Sequence, residues 1–294
     1  MHENCPVCGS SDIQAFLKVD DHSISKEVFA LAQCQACGMV FTQNPPKESD
    51  AGPYYQSADY ISHSDTKKGL INRVYHAVRK FMLGRKYRLI RSLGSGKRLL
   101  DIGTGTGHFL HYMAKKNYKT VGIEISEDTR NQAIKNFGLN IHSPEVLLSK
   151  GIQEKFDFVT LWHVLEHIYP LHESLRAIYD LLDSEGKLIL ALPNYMSFDA
   201  QYYHAFWAGY DVPRHIWHFC PESVIVLAQK YGFRVKKMDL LPFDSFYVSM
   251  LSEKYKGSSL GLAKGFCIGA LSFARSVFKP EKASSVVYIL EKAN

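Results

Sequence analysis

The heptapeptide Asp101-Ile102-Gly103-Thr104-Gly105-Thr106-Gly107 constrains the fold of this chain more than any other segment. It ends the apolar run from Lys97 to Ile102, which reads as a buried strand, and opens the helical pattern of His108-Phe109-Leu110. Alternating glycines at a strand-to-helix turn let the backbone approach a ligand closely, and the helix start offers unpaired N–H groups. The dinucleotide fingerprint G-x-G-x-x-G needs its third glycine where His108 stands, so the spacing is wrong for it. Asp101 at the strand end repels a pyrophosphate but welcomes a cationic amino group. A second strand, Lys119 to Ile125, carries Glu124 near its end, where a carboxylate can accept hydrogen bonds from both ribose hydroxyls. Acid, glycines and second acid in this order describe a site for an aminoacyl nucleoside.

Downstream, strand and helix patterns alternate. Helical residues from Glu127 to Phe137 lead to a short strand near Asn140, and Phe156 to Leu161 forms another strand. A helix around Ser174 to Leu182 then reaches a strand from Lys187 to Leu192. Such alternation implies right-handed crossovers and an α/β doubly wound parallel sheet, with ligands at the carboxyl ends of the strands.

At Leu100 to Gly107 and at Glu124 the chain resembles the class I S-adenosylmethionine-dependent methyltransferases, over roughly Lys97 to Phe233. The resemblance implies a Rossmann-like seven-stranded sheet with one reversed strand, the reversed pair coming from Phe233 to Asp239 and Ser285 to Glu291. It implies S-adenosyl-L-methionine as cofactor, with Asp101, Gly103, Thr104, Gly105 and Gly107 around the methionine part, Glu124 on ribose and Ile125 beside it. Phe158 to His167 looks like the fourth-strand motif of ubiquinone-type O-methyltransferases, which implies Trp162 and His163 beside the cofactor sulfur. One departure is His142-Ser143-Pro144-Glu145, where such chains often have an acid for adenine.

Four of the six cysteines form two knuckles, Cys5-Pro6-Val7-Cys8-Gly9 and Cys34-Gln35-Ala36-Cys37-Gly38. A Cys-x-x-Cys turn aims two thiolates at one tetrahedral ion, and the following glycine permits the tight turn. Two such turns close a structural Zn2+ site with no position open for catalysis. The 25 residues between the knuckles form too small a core to fold unaided, and metal supplies the missing stability. Cys220 and Cys267 stand alone and read as small buried or half-buried residues. The cysteine head, the Tyr54 to His63 segment and Pro213-Arg214-His215-Ile216-Trp217-His218-Phe219 resemble a bacterial subgroup of zinc-ribbon methyltransferases.

Three regions follow: a zinc-ribbon-like module at 1–45, a linker and basic amphipathic helix at 46–95, and a methyltransferase domain at 96–294. The chain carries 35 Lys+Arg against 29 Asp+Glu, a mild net charge of +6. Between Asp65 and Arg98 stand eleven basic residues and one acid, a local charge of 11 − 1 = +10. That segment reads as a solvated helix face, split at Gly84, with anion binding as the competing reading. The start lacks a signal-peptide pattern, and no apolar run reaches the roughly 18 residues of a membrane span, so a cytoplasmic location is expected.

Methyl transfer needs in-line geometry and, for a hydroxyl or carbon acceptor, a base. His163 and His167 lie four apart, and His215 and His218 three apart; His215 and His163 are the candidate bases. The aromatic-rich insertion 194–219 reads as a lid over the acceptor, with Tyr203, Trp207, Arg214 and His218 as its wall, joined by Tyr60 and His63. A second insertion, 252–283, is apolar and glycine-rich, and reads as a packed helix pair, a dimer face or a peripheral membrane contact. The expected activity is methylation of a small molecule or a glycan or cell-envelope precursor. The alternatives are RNA methylation through the basic helix and cysteine head, and a non-catalytic module retaining the cofactor fold.

Overall fold

The structure, a computed structural model, describes residues 3–55 and 70–293, so Tyr60 and His63 lie outside the described residues. Among the described residues eleven strands form two sheets. The first unites β1 (Ile13–Asp20), β2 (Val28–Cys34), β3 (Val40–Thr42) and a late two-residue strand, β9 (Trp217–His218), in the order β1-β2-β3-β9. Its pairs are antiparallel, with Val40 opposite His218 and Phe41 opposite Trp217.

The second sheet contains β4 (Arg98–Ile102), β5 (Lys119–Ile123), β6 (Ile141–His142), β7 (Phe156–Trp162), β8 (Leu182–Pro193), β10 (Phe233–Leu240) and β11 (Ser285–Lys292), in the order β10-β11-β8-β7-β4-β5-β6. β4 runs parallel to β5 and β7, and β5 parallel to β6, whereas β10 and β11 are antiparallel. Those last two strands are the ones the sequence designated as the reversed pair. The order jumps from β4 to β7 on one side and β5 on the other, so the chain reverses winding at the end of β4, where such sheets bind ligands.

The chain divides into two compact units. One comprises 58–161 and 172–189, and its described part holds α1 (Leu70–Leu93), α2 (His108–Ala114), α3 (Glu127–Phe137), α4 (Glu145–Leu148) and α5 (Leu171–Leu181). Leu99, Leu100, Val121, Ile123, Phe158, Val159 and Leu161 are buried along its strands, which is why these read as apolar runs. α3 has Ser126 as N-cap, its hydroxyl accepting from Thr129 N, and Gly138 in the left-handed conformation as its stop. The split expected at Gly84 does not occur. α1 runs unbroken for 24 residues, because one glycine costs a helix only about 1 kcal/mol. The loop expected before β8 is also missing: α5 ends at Leu181 and β8 starts at Leu182.

The other unit comprises 1–57, 162–171 and 190–294. Its core gathers Val19, Phe29, Leu31 and Val40 with Tyr195, Tyr203, Trp207, Tyr210 and Cys220. Tyr195, Tyr203, Trp207 and Tyr210 of 194–219 are thus interior residues packed on the N-terminal strands, whereas Tyr202 and Phe206 stay exposed. The insertion 252–283 contributes to a helix pair, α8 (Asp244–Tyr255) and α9 (Gly261–Val277), after α6 (Phe198–Tyr203) and α7 (Pro221–Lys230). Two of its glycines are contact points. A Cβ on Gly265 would stand 2.6 Å from Met250 Cα, and one on Gly269 would stand 2.6 Å from Phe246 Cα. Only glycine admits helix backbones this close. Cys220 is buried as expected, but Cys267 is exposed on α9. Among the described residues no helix is long and apolar enough to cross a membrane.

Candidate functional site

The glycine loop at the end of β4 is built in left-handed backbone. Gly103, Gly105 and Gly107 have φ of 74°, 56° and 80°. They serve different ends: a Cβ on Gly107 would stand 2.7 Å from Leu139 Cδ1, whereas one on Gly105 would meet nothing within 4 Å. Gly107 is needed for packing, and Gly105 leaves free room beside the loop. Gly103 N and Thr104 N both donate to Ile123 O, which pins the loop to the end of β5.

Glu124 follows directly. It is 8% exposed, and its carboxylate accepts from Gly105 N at 2.7 Å and from Ser126 N at 2.9 Å. Asp101 is buried on β4, where Thr160 Oγ1 donates to its Oδ1 at 2.5 Å. Burial pushes its carboxyl up to about 7, against the opposing pull of the Thr160 hydroxyl. Thr104 donates to Asp101 O, and Ile125 is exposed beside Glu124. The two carboxylates and the glycine loop expected to hold the cofactor therefore converge. The open space at Gly105, the buried acid and the ring of polar atoms fit an aminoacyl nucleoside.

In the other unit the histidines surround a carboxylate the sequence had not singled out. Glu166 is fully buried, in a single 3-10 turn, Leu165–His167, and neither of its carboxylate oxygens has a hydrogen-bond partner. His163 Nδ1 stands 3.5 Å from Glu166 Oε1, and His163 Nε2 pairs with Asp244 Oδ2 at 2.9 Å. Burial works to lower the His163 pKa, but Asp244 and Glu166 outweigh it and hold the imidazole up at about 10. That direction favours the protonated imidazole, against the expectation of His163 as a base. It also adopts φ of 58°, an uncommon backbone for a residue with a side chain, and donates its N–H to Ala191 O.

His215 is 8% exposed and its Nδ1 contacts Gly209 O at 2.9 Å. His167 Nδ1 lies 3.0 Å from Arg214 O, and the His167 and His215 rings meet edge to face with centroids 4.5 Å apart. Burial first, and the His215 charge second, push His167 down to about 4. The pairing of His163 and His167 by one helical face does not arise, because the turn between them is not α-helical.

The residues expected to line an acceptor wall have other work. Tyr203 is 1% exposed, and Trp207 donates Nε1 to the buried Asp199 at 2.8 Å. Arg214 is 3% exposed; its Nη2 reaches Asp21 Oδ1 and Asp211 Oδ1 at 2.8 Å each, and its Nη1 reaches Tyr54 O at 2.9 Å. Burial would raise Asp21, but Arg214 overrides it and brings the carboxyl down to about 2. His218 Nε2 sits 3.0 Å from Thr42 Oγ1; since that hydroxyl donates to His215 O, His218 is the donor here. Trp207, His218 and the two Nη atoms of Arg214 are thus engaged within the fold, whereas Tyr203 Oη and Arg214 Nε are buried without a hydrogen bond. Trp162 ends β7, one residue before His163.

At the N-terminus, one sulfur from each of Cys5, Cys8, Cys34 and Cys37 lies within 4.8 Å of the others. Cys5 Sγ and Cys37 Sγ are 3.6 Å apart, and Cys8 Sγ and Cys34 Sγ 3.5 Å. Gly9 and Gly38 follow the knuckles with φ of 80° and 73° and donate to Cys5 O and Cys34 O. Four thiols at this spacing fit a tetrahedral ion, whose sulfur ligands stand about 2.3 Å from the metal.

A family model described as a methyltransferase domain matches residues 74–237, more than half of the chain. The chain belongs to this family and is a class I S-adenosylmethionine-dependent methyltransferase. A ubiquinone biosynthesis O-methyltransferase of Glaesserella parasuis is 31% identical over 110 residues, covering 34% of this chain and 46% of that protein. An uncharacterized protein of Haemophilus influenzae is 33% identical over 107 residues, covering 33% and 42%. The matches thus span less than half the length of these curated relatives. A solved structure from Galdieria sulphuraria, of a candidate sarcosine dimethylglycine methyltransferase, superposes with a TM-score of 0.50 at 11% identity, covering 74% of this chain and 86% of the other. The fold is the Rossmann-like one the sequence implied.

Proposed function

We propose that the protein transfers the methyl group of S-adenosylmethionine to a small molecule or to a glycan or cell-envelope precursor. The observation that carries this reading is the junction of Glu124 with Gly105, where a nearly buried carboxylate is already oriented by two backbone N–H groups beside open space. In this reading Glu124 binds the ribose hydroxyls, Asp101 faces the methionine ammonium, and Gly103, Thr104, Gly105, Gly107 and Ile125 border the cofactor, with Trp162 near its sulfur. The cofactor brings a sulfonium methyl whose departure leaves a neutral thioether, so no acid is required. Holding the acceptor in line is the main task. His163, as a cation, donates a hydrogen bond, and His215 is the imidazole able to take a proton from an acceptor.

The activity of the Glaesserella relative, O-methylation in ubiquinone biosynthesis, supports a small-molecule acceptor with a hydroxyl group. The cysteine cluster is read as a structural Zn2+ site in a module spanning 1–45. Calorimetric titration with S-adenosylmethionine, S-adenosylhomocysteine and NAD tests the cofactor: micromolar binding of the first two and none of NAD is expected. Incubation of the protein with methyl-labelled cofactor and a cell extract tests the acceptor. Label in the low-mass or lipid-linked fraction supports the reading, and label confined to RNA overturns it in favour of the basic helix and cysteine head as RNA grips.

A further inference from the structure

One ligand atom from each of Glu166, His167 and His215 lies within 4.8 Å of the others, far from the sequence signature of any cysteine. Three independent features of this cluster point the same way. First, a buried carboxylate without a hydrogen bond is costly, and Glu166 has two such oxygens. His163 Nδ1, at 3.5 Å, offers Glu166 an ion-pair contact but is too distant for a good hydrogen bond.

Second, the tautomers are set. A carbonyl oxygen only accepts, so the contacts of His167 Nδ1 with Arg214 O and of His215 Nδ1 with Gly209 O place the proton of each neutral ring on Nδ1. Both lone pairs are left on Nε2. Metal-ligating histidines are oriented in this way, through a hydrogen bond from the far ring nitrogen. Third, the backbone holds the two halves of the cluster together: Ile216 N donates to Glu166 O, and His215 N to Asp211 O. Asp211 Oδ2 stands 4.0 Å from His215 Nε2.

The geometry points to a binding site for one divalent first-row transition-metal cation at Glu166, His167 and His215, distinct from the four-cysteine cluster. Two imidazoles and one carboxylate suit an ion such as Zn2+, Co2+ or Fe2+ better than Mg2+ or Ca2+, which favour all-oxygen shells. Three protein ligands leave a position open for water or for an acceptor oxygen. A cation and a proton compete for the same His215 lone pair. With the ion bound, His215 is a ligand and is no longer available as a base.

Cobalt(II) titration of the full chain, followed by optical absorption, tests the site. Cobalt on thiolates gives intense charge-transfer bands, whereas cobalt on nitrogen and oxygen gives only weak ligand-field bands, so the two sites report separately. We expect one cobalt equivalent of the weak type in the native protein, bound at least tenfold more weakly after H215A and after E166Q, with thiolate bands unchanged. Binding of no such equivalent by the native protein at millimolar cobalt overturns the assignment, whatever the variants do. So does an unchanged weak-type spectrum in a folded H215A protein, with near-ultraviolet circular dichroism as the check on folding.

Discussion

The Glu124 carboxylate receives the Gly105 amide at 2.7 Å, joining the end of the second strand of the parallel sheet to the middle of the glycine loop. This contact makes the loop and the acid a single unit. Glu124→Ala removes the ribose partner and also leaves the Gly105 and Ser126 N–H groups without theirs. A charged hydrogen bond contributes about 1.5–3 kcal/mol, so cofactor affinity is expected to fall roughly ten- to hundredfold. Calorimetry measures it, and equal affinity in variant and native protein removes Glu124 from the site.

With Asp101 facing the cofactor's ammonium group as proposed, cofactor binding should depend on pH. Its carboxyl, raised by burial to about 7, is partly protonated at neutrality, and only the ionised form attracts an ammonium group. Binding therefore expels a proton, and affinity should rise as pH increases from 6 to 8. The Asp101→Asn protein should bind weakly with a flat profile; a native profile that falls over this range rejects the role.

His163 couples stability to alkaline pH. Its folded pKa, held by Asp244 and Glu166 at about 10, exceeds the ordinary 6.5, so the folded state retains a proton that the unfolded chain releases. This contribution is complete below pH 6.5 and is lost as pH climbs toward 10. Melting temperatures should decline across that interval in the native protein and less in Asp244→Asn, in which the His163 titration followed by NMR should move down by more than one unit. An unmoved titration would show that Asp244 is not the controlling partner.

Local patterns in the chain disclosed the parallel sheet, the glycine loop, Glu124 and the cysteine knuckles, because each is written in residues close together. The Glu166 cluster was not legible in that way. Its partners stand at positions 163, 167, 211, 215 and 244, and only folding brings them together. One signal was present: an acid inside the apolar run Val164-Leu165-Glu166-His167-Ile168 has nowhere to go but the interior. The aromatics of 194–219 were ambiguous for a related reason. Composition identifies a hydrophobic face, but whether it meets an acceptor or another strand depends on a pairing between Phe41 and Trp217, 176 residues apart.

Gly265 tests the helix pair. An alanine methyl there would fall 2.6 Å from Met250 Cα, a backbone atom that cannot swing aside. Gly265→Ala should cost about 1–3 kcal/mol by overpacking, despite alanine's better helix propensity. Urea denaturation measures it, and a stabilised variant would contradict the close approach.

Cys34→Ser should abolish bound zinc, read by metal analysis, and lower the melting temperature by removing one of four ligands. Zinc retained at the native stoichiometry in a variant of this kind would rule out the four-cysteine assignment.

The strand formed by Trp217 and His218 closes a sheet begun two hundred residues earlier. During synthesis the cysteine knuckles leave the ribosome well before Trp217 and His218, so the sheet that carries them lacks its last member until about 180 further residues have been made. Early metal capture by Cys5, Cys8, Cys34 and Cys37 would give the cell a way to protect this segment while it waits, and metal-starved cells should accumulate nascent chains that are arrested, cleaved or captured by chaperones well before residue 217.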